Sequence, residues 1–358
     1  MQYKLFANCI PVKGYSRSII CDLQRNMFDL IPNSLYEILA NNDVLDFEIF
    51  KSNLGFDKAE IINEYESFLL DKQYIFTTKD LNLFPKLSLR WETPVLITNG
   101  IIELKEESSP YSLRELLPQF SQIGLQHLEV RLSQLKSYTY FENLLNGIEE
   151  TNIFSIVLYL NNEIGISESL LKMVMLSFKR FTNIYLYNNP ESSEDYFFRE
   201  TQTHVVYLKT TILSRSSCGT VHPNDFAINI PHFTEALTFN TCLNRKISID
   251  EKGNIRNCPS MIETYGNVNT IKLIDAIQQK EFQKYWHIKK DDISICKDCE
   301  FRYICTDCRA YLEDPENMLS KPLKCGYNPY NFTWDSWSES PIKQKVIETY
   351  QLRELNNN

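Results

Sequence analysis

The sequence predicts an α/β protein in which a parallel sheet is followed by a cysteine-rich region. Two observations support this prediction. Residues 90–235 alternate apolar strand-like segments with helical segments, at a repeat of about 30 residues that is typical of βα units with right-handed crossovers. In addition, eight of the ten cysteines lie between residues 218 and 325. Residues 1–82 precede both regions and have short strands and helices of their own.

The composition is that of a globular protein and excludes several partners. Apolar residues make up 43% of the 358 residues and charged residues 23%, so the chain can bury a sizeable core. The net charge of −9 disfavours a nucleic acid or an anionic membrane surface as partner. No apolar run approaches the roughly 20 residues of a membrane-spanning helix. No signal-peptide pattern opens the sequence. We therefore expect no nucleic-acid partner, no membrane partner and a cytoplasmic location.

Residues 1–82 are predicted to form a winged-helix domain. Strand-like segments lie at residues 3–12, 17–23 and 74–77, and helical segments at residues 35–39, 47–54 and 58–72. Asn33 or Ser34 is the predicted N-cap of the first helix. Many winged helices bind DNA, but a basic recognition helix is missing here. The order of elements resembles the leader-peptide recognition domain of many peptide-maturation proteins.

Residues 90–235 are predicted to form the parallel sheet. Strands are expected at residues 94–104, 125–132, 153–160, 182–187, 204–208 and 226–230, and helices at residues 112–122, 138–148 and 168–178. Six strands suit a partial (βα) barrel, and the pattern leaves a doubly wound sheet open as the alternative. His127 and His204 fall in strands and could face a barrel interior together with Glu129 or Arg131.

Residues 236–340 are predicted to bind metal through cysteines, and residues 341–358 to form a C-terminal tail. In a reducing compartment, crowded cysteines indicate metal ligation rather than disulfides. Cys242 and Cys258 flank a predicted hairpin at residues 246–255, with Gly253 at the turn position of positive φ. Farther along, C-x2-C-x5-C-x2-C is followed by one more cysteine; these residues are Cys296, Cys299, Cys305, Cys308 and Cys325.

This spacing is typical of iron–sulfur ligation, in which successive cysteines bind different clusters. Structural zinc also uses four cysteines and is the alternative. Zinc ribbons, however, separate their two C-x2-C pairs by about 15–20 residues, whereas five residues separate them here. His222 and His232 lie near Cys218 in sequence and could contact a cluster. Cys9 and Cys21 lie in apolar segments and are expected to be buried small residues.

The cysteine pattern resembles the SPASM domain, the C-terminal auxiliary-cluster module of peptide-modifying radical S-adenosylmethionine enzymes. All seven cysteines of that module have counterparts here, although its last spacing is usually one residue longer than that between Cys305 and Cys308. The resemblance implies two [4Fe–4S] clusters, one on Cys242, Cys258 and Cys308 and the other on Cys296, Cys299, Cys305 and Cys325. Two clusters with full thiolate ligation need eight cysteines. Cys218 is therefore predicted to complete the first.

The catalytic cluster of radical S-adenosylmethionine enzymes is not expected in this chain. Those enzymes bind it through C-x3-C-x2-C after the first barrel strand, and no such motif occurs in the sequence. Residues 105–110, after the first predicted strand, contain no cysteine. Residues 133–135, after the second, lack the Gly-Gly-Glu segment of the family. We therefore expect neither S-adenosylmethionine binding nor radical chemistry.

The whole chain resembles the SPASM-domain peptide maturases of grasp-with-spasm gene systems, on residues 94–100, 257–261 and 299–305 in particular. The resemblance implies a leader-recognition unit, a degenerate partial barrel of the radical S-adenosylmethionine type and a SPASM domain. It also implies a function in the maturation of a ribosomally made peptide (RiPP), with the precursor leader and an ATP-grasp ligase as partners. Three interpretations stay open: an adaptor for the ligase, an enzyme using an auxiliary cluster for redox or substrate-ligation chemistry, and a zinc-stapled binding scaffold.

Overall fold

The computed structural model describes residues 1–54, 59–105, 110–133, 138–162, 166–188, 195–208 and 218–352. Its strands are β1 (Gln2–Leu5), β2 (Cys9–Lys13), β3 (Arg17–Asp22), β4 (Met27–Pro32), β5 (Leu45–Asp46), β6 (Ile75–Phe76), β7 (Asn99–Leu104), β8 (His127–Leu132), β9 (Ser155–Asn161), β10 (Phe181–Tyr187), β11 (Tyr196–Phe198), β12 (Thr203–Tyr207), β13 (Lys246–Ile249), β14 (Ile255–Arg256), β15 (Tyr327–Asn328) and β16 (Thr333–Trp334).

Its helices are α1 (Asn33–Asn41), α2 (Phe47–Leu54), α3 (Ala59–Asp71), α4 (Leu113–Gln122), α5 (Tyr138–Glu149), α6 (Glu168–Ser177), α7 (Ile230–Ala236), α8 (Leu273–Ile277), α9 (Lys280–Gln283) and α10 (Gln344–Thr349). Within the described ranges, none of these helices combines the length and the hydropathy needed to cross a bilayer.

The N-terminal unit contains two small sheets and the helices α1, α2 and α3. In one sheet β1 lies between β5 and β6, and in the other β3 lies between β2 and β4. The strand predicted at residues 3–12 is divided into β1 and β2, the one predicted at residues 17–23 is β3, and β4 was not predicted. The predicted cap of α1 is wrong: Pro32 holds the N-cap position. Asn33 accepts a hydrogen bond from the Ser18 hydroxyl, and the Ser34 hydroxyl bonds that of Tyr65.

The sheet β2–β3–β4 lies between two apolar cores. Neighbouring residues of a strand point to opposite faces. Ile20 therefore packs with the helices of the N-terminal unit, while Ile19 and Cys21 pack with residues of the C-terminal region such as Phe301. Cys9 and Cys21 are both buried, as predicted. Burial raises the pKa of the Cys9 thiol to about 12.

An eight-stranded sheet forms the centre of the described part of the chain, in the order β11-β12-β10-β9-β8-β7-β13-β14. Its inner pairs are parallel, and only β11 and β14 pair antiparallel, at the two edges. The predicted α/β class with a mostly parallel sheet is thereby confirmed. From β7 to β10 and on to β12 the strands follow chain order without reversal, which is the winding of a barrel rather than of a doubly wound sheet.

The predicted strand at residues 226–230 is wrong. Pro223 begins a single 3-10 turn (Pro223–Asp225), and α7 follows, with Pro231 in its first turn. Proline has no N–H to donate to a strand ladder but fits the first turn of a helix. The Asn229 side chain caps α7 by accepting a hydrogen bond from the His232 amide at 3.0 Å. Strand β11 was not predicted.

The predicted hairpin between Cys242 and Cys258 is present. Strands β13 and β14 pair antiparallel, and Gly253 lies in the connecting turn with a φ of +83°. Strand β13 also pairs in parallel with β7, with Ser248 opposite Ile101. The cysteine-rich region thus extends the sheet formed by residues 90–235.

Glu235, in the last turn of α7, is expected to make stability depend on pH. Its carboxylate accepts a hydrogen bond from Asn244 at 2.8 Å, but burial raises its pKa from 4.5 to about 7. Between these two values the folded state keeps a proton that the unfolded state has lost, so stability falls as pH rises through this window. We expect Glu235→Gln to remove this decline and to raise the free energy of unfolding at pH 8 by about 1–3 kcal/mol.

Urea denaturation at pH 5 and pH 8 measures this effect. Glu281→Gln, at an exposed position, is the control and should keep the pH dependence of the wild type. An unchanged pH dependence in Glu235→Gln would show that this carboxyl group is not responsible.

Candidate metal centres

Eight free cysteines lie in two groups of four thiols. Group I consists of Cys218, Cys242, Cys258 and Cys308, and group II of Cys296, Cys299, Cys305 and Cys325. In group I, Cys218 and Cys258 share a hydrogen bond, and the charge of Cys218 raises the pKa of Cys242 and of Cys308. In group II, Cys296 and Cys305 interact electrostatically with each other and with Cys325. Cys299 interacts in the same way with Cys296 and with Cys305. The structure thus brings together the two sets proposed from the sequence; their role as ligands stays a prediction.

Neither group is a compact site for a single ion. Within the described ranges, no set of three or more His, Cys, Asp or Glu side chains is arranged to hold one metal ion. The thiols of each group are neighbours without forming one tight tetrahedron.

Cys218 is held in group I by the segment before Cys325. The Lys324 ammonium donates a hydrogen bond to the Cys218 carbonyl at 2.7 Å, and the Val221 amide donates to the Lys324 carbonyl at 3.3 Å. Val221 also forms a parallel bridge with Cys325. These backbone contacts explain how a cysteine 24 residues before Cys242 joins the same group.

Gly219 allows this segment to approach Cys308. Its φ of +86° lies in the left-handed region, and a Cβ atom at this position would lie 2.7 Å from the Cys308 sulfur. Any other residue would both strain the backbone and push Cys308 away. Glycine at this position therefore allows the backbone next to Cys218 to lie against Cys308.

Positively charged side chains surround group I. The Lys246 ammonium lies 3.9 Å from the Cys242 sulfur, and the charge of Cys242 raises the pKa of Lys246. The hydrogen bond from Cys258 lowers the pKa of Cys218, and Lys246 and Arg131 lower it further. Lys324 is buried against the rings of Tyr311 and Trp337 at 4.7 and 5.4 Å. These cations match the negative charge that four thiolates bring to a cluster.

Group II surrounds a buried lysine of its own. Burial alone would lower the pKa of Lys290, but the charges of Cys305, Asp307 and Cys296 outweigh it and raise the pKa. The Lys290 ammonium also pairs with Asp307 at 3.4 Å. Ile295, directly before Cys296, has a φ of +67°. Such backbone strain at a β-branched residue is unusual and is concentrated at functional sites.

Burial keeps most of these thiols protonated while no metal is bound. It raises the pKa of Cys296 to about 11 and those of Cys305 and Cys308 to about 12. Metal binding must displace these protons, so metal uptake should be favoured by rising pH.

Two of the histidines lie on the expected face of the sheet. His127 is four residues before Arg131 on β8, and His204 lies opposite Asn183, two residues before Tyr185, so both share the face of Arg131 and Tyr185. Both are exposed and contact the rings of Phe154 and Phe197. His222 is exposed and caps the turn after it, its Nδ1 accepting from the Asn224 amide at 3.2 Å. His232 contacts the backbone of Cys305 in group II rather than Cys218, and burial lowers its pKa to about 4.

One row of side chains crosses the sheet beside group I. Glu103, Arg131, Tyr159 and Tyr185 lie opposite one another on β7, β8, β9 and β10. Arg131 donates to Glu129 at 2.6 Å and to Glu103 at 3.4 Å, and the rings of Tyr159 and Tyr185 stack at 4.7 Å. The charge of Cys218 raises the pKa of Arg131 and of Tyr159.

Some site residues were missed and some predictions cannot be followed. Lys246, Lys290 and Lys324 were missed because lysine is ordinarily a surface residue and its burial has no local sequence signal. The expectation that no catalytic cluster is bound concerns the loops after the first two predicted strands, and residues 106–109 and 134–137 of those loops lie outside the described residues. The same is true of residue 58 and of residues 353–358 of the predicted tail.

The fold and the site define an α/β protein with a mostly parallel sheet and two four-thiol groups. No family model matches the chain, and no match was found among curated proteins. Three chains of solved structures are similar to it, one of them described as "Native anSMEcpe with bound AdoMet". That similarity has a TM-score of 0.40 at 10% identity and covers 71% of this chain and 99% of the other. A likeness this distant transfers no function.

Proposed function

We propose that this chain is a RiPP maturation protein of the SPASM type, which binds the leader of a precursor peptide and holds two [4Fe–4S] clusters. The observation that supports the proposal is the arrangement of eight cysteines in two groups of four, with buried Lys324 beside group I and buried Lys290 beside group II. In this proposal the protein acts in the cytoplasm as an adaptor, which presents the bound peptide to an ATP-grasp ligase without radical chemistry.

Each group would supply four thiolates to its cluster and leave no iron free for a substrate. Bound clusters would supply one-electron redox capacity and would cross-link a region with few regular elements. Lys246 and Lys324 would balance the charge of group I, and Lys290 that of group II. Zinc in the same two groups is the alternative content.

Leader binding is proposed at β4, an outer strand of the sheet β2–β3–β4. The other outer strand, β2, is partly covered, because its Lys13 carbonyl accepts a hydrogen bond from Arg302. Among the described strands β4 pairs with β3 alone, and its Leu30 side chain is 48% exposed. A peptide added as a further strand would bind through main-chain hydrogen bonds, while an exposed apolar side chain would select the register.

The test is the affinity of the full-length protein for the leader of the precursor peptide encoded with it. We expect Leu30→Asp to weaken binding about tenfold, because it places a charge beside the added strand. Ile49→Asp is the control, since Ile49 is equally exposed on α2, away from β4. Equal losses in both variants, or no binding by the wild type in calorimetry, would refute the proposed site.

The second candidate function is an enzyme that uses the group I cluster on a peptide lying across the sheet. It is favoured by the row Glu103, Arg131, Tyr159 and Tyr185, which runs across the sheet beside Cys218. The two candidate functions predict different effects of the substitution Arg131→Met. This substitution should abolish product formation by an enzyme but leave the leader affinity of an adaptor unchanged.

A further inference from the structure

The N-terminal unit lies directly on the loop that joins the group II cysteines. The turn between β2 and β3 contacts residues 298–302, a segment that includes Cys299. The Tyr15 amide donates to the Asp298 carbonyl at 2.8 Å, and the Arg302 guanidinium donates to the Lys13 carbonyl and, at 3.0 Å, to the Cys299 carbonyl. One arginine therefore links the backbone of a predicted ligand with the backbone of the N-terminal unit.

A buried ion pair strengthens this contact. The Arg17 Nε donates to Glu300 at 2.6 Å, and the Tyr327 hydroxyl donates to the same carboxylate oxygen at 2.5 Å. The Glu300 residue is fully buried. Removing the partner of a buried charge is strongly destabilising. The burial of Glu300, next to Cys299, is therefore stable only while Arg17 stays in this position.

Close packing completes the interface. A Cβ atom on Gly14 would lie 2.9 Å from the Glu300 Cβ and 3.0 Å from the Glu300 backbone nitrogen, so the two segments are in direct contact here. Phe301 and Ile304, which lie between Cys299 and Cys305, share an apolar core with Val12 and Ile19 of the N-terminal unit. The conformation of the loop at residues 298–304 and the position of the turn at residues 13–17 therefore depend on each other.

We propose that metal binding by group II holds the N-terminal unit in place. With a metal centre bound, Cys296, Cys299 and Cys305 fix the shape of the loop that receives residues 13–17. Without it, the loop loses that shape and the turn detaches. This inference rests on the proposed metal centre. Its consequence is that the leader-binding unit is positioned only in a chain whose group II is loaded.

Amide hydrogen exchange of the full-length, anaerobically purified protein tests this inference. In Cys296→Ser/Cys299→Ser, residues 13–23 are expected to exchange about 5- to 150-fold faster, the usual range of coupling between two sites. The matched group I variant, Cys242→Ser/Cys258→Ser, should leave their exchange unchanged. Amides of β8–β10 report on the rest of the fold, and metal analysis of the same samples reports on loading.

Coupling is reciprocal, so a second measurement needs no cysteine substitution. Arg17→Met is expected to lower the affinity of group II for its metal about fivefold or more, measured as the metal retained at equilibrium with a competing chelator. Arg25→Met is the control, because Arg25 lies in the same unit but pairs with Asp22, away from the loop. An unchanged metal affinity in Arg17→Met, or equal effects of the two cysteine variants on residues 13–23, would overturn this inference and leave the proposed function standing. Absence of metal from group II in the wild type would overturn the proposed function as well.

Discussion

Replacing both Cys242 and Cys258 with alanine is expected to lower the iron content by about four per chain, with an equal loss of acid-labile sulfide. Cys258 is 3% exposed and shares a hydrogen bond with Cys218, and Cys242 interacts with the same sulfur. Two of the four group I thiolates would be missing, and the buried lysines would lose their counter-charges. The measurement is iron and sulfide analysis of anaerobically purified protein.

The control is Cys9→Ala. Cys9 is also buried, and burial raises the pKa of its thiol to about 12, but it packs with the helices of the N-terminal unit and not with the loop of group II. This variant should keep all its iron. Full iron retention in the Cys242/Cys258 variant, or an equal loss in the control, would contradict the assignment of group I.

Gly219→Ala is expected to have the second-largest effect and to abolish metal binding by group I. The positive φ costs about 1–2 kcal/mol with a Cβ present, and that Cβ would lie 2.7 Å from the Cys308 sulfur. Either Cys308 or the Cys218 segment must then move, and the four thiols separate. Iron analysis together with thermal denaturation measures both consequences.

Gly124→Ala separates backbone strain from the effect on the thiols. Gly124 has a φ of +78°, and its added Cβ would also meet a neighbour at 2.7 Å, but that neighbour is a methyl carbon of Val95. The two variants should lose similar stability, while Gly219→Ala alone should lose iron. Equal iron contents would show that Cys218 and Cys308 do not share a metal centre.

The regular part of the fold was predictable because its apolar pattern is strong. Helices α4, α5 and α6 and the strands β8, β9 and β10 lie close to their predicted positions. The strand expected at residues 226–230 failed because two prolines favour a turn and a helix start. Strands β1 and β2 were predicted as one and β4 was missed, since turns without glycine, such as that at Asn26 with a φ of 56°, have weak sequence signals.

The grouping of the cysteines was predictable from the sequence, but the surroundings of the two groups were not. Cysteine spacing and the SPASM resemblance gave the two sets of thiols, because cysteine chemistry is visible in the sequence itself. The contact between Arg17 and Glu300 joins residues 283 positions apart, and no local pattern indicates such a pair. The same reason hid Lys324, whose burial depends on the packing of Tyr311 and Trp337 around it.

The central claim is that the two groups of thiols hold iron–sulfur clusters. The most direct test is the content of iron, acid-labile sulfide and zinc per chain in protein purified without oxygen. We predict about eight iron and eight sulfide per chain, four of each per cluster. About two zinc without sulfide, one per group, would contradict the clusters and leave a zinc-stapled binding scaffold.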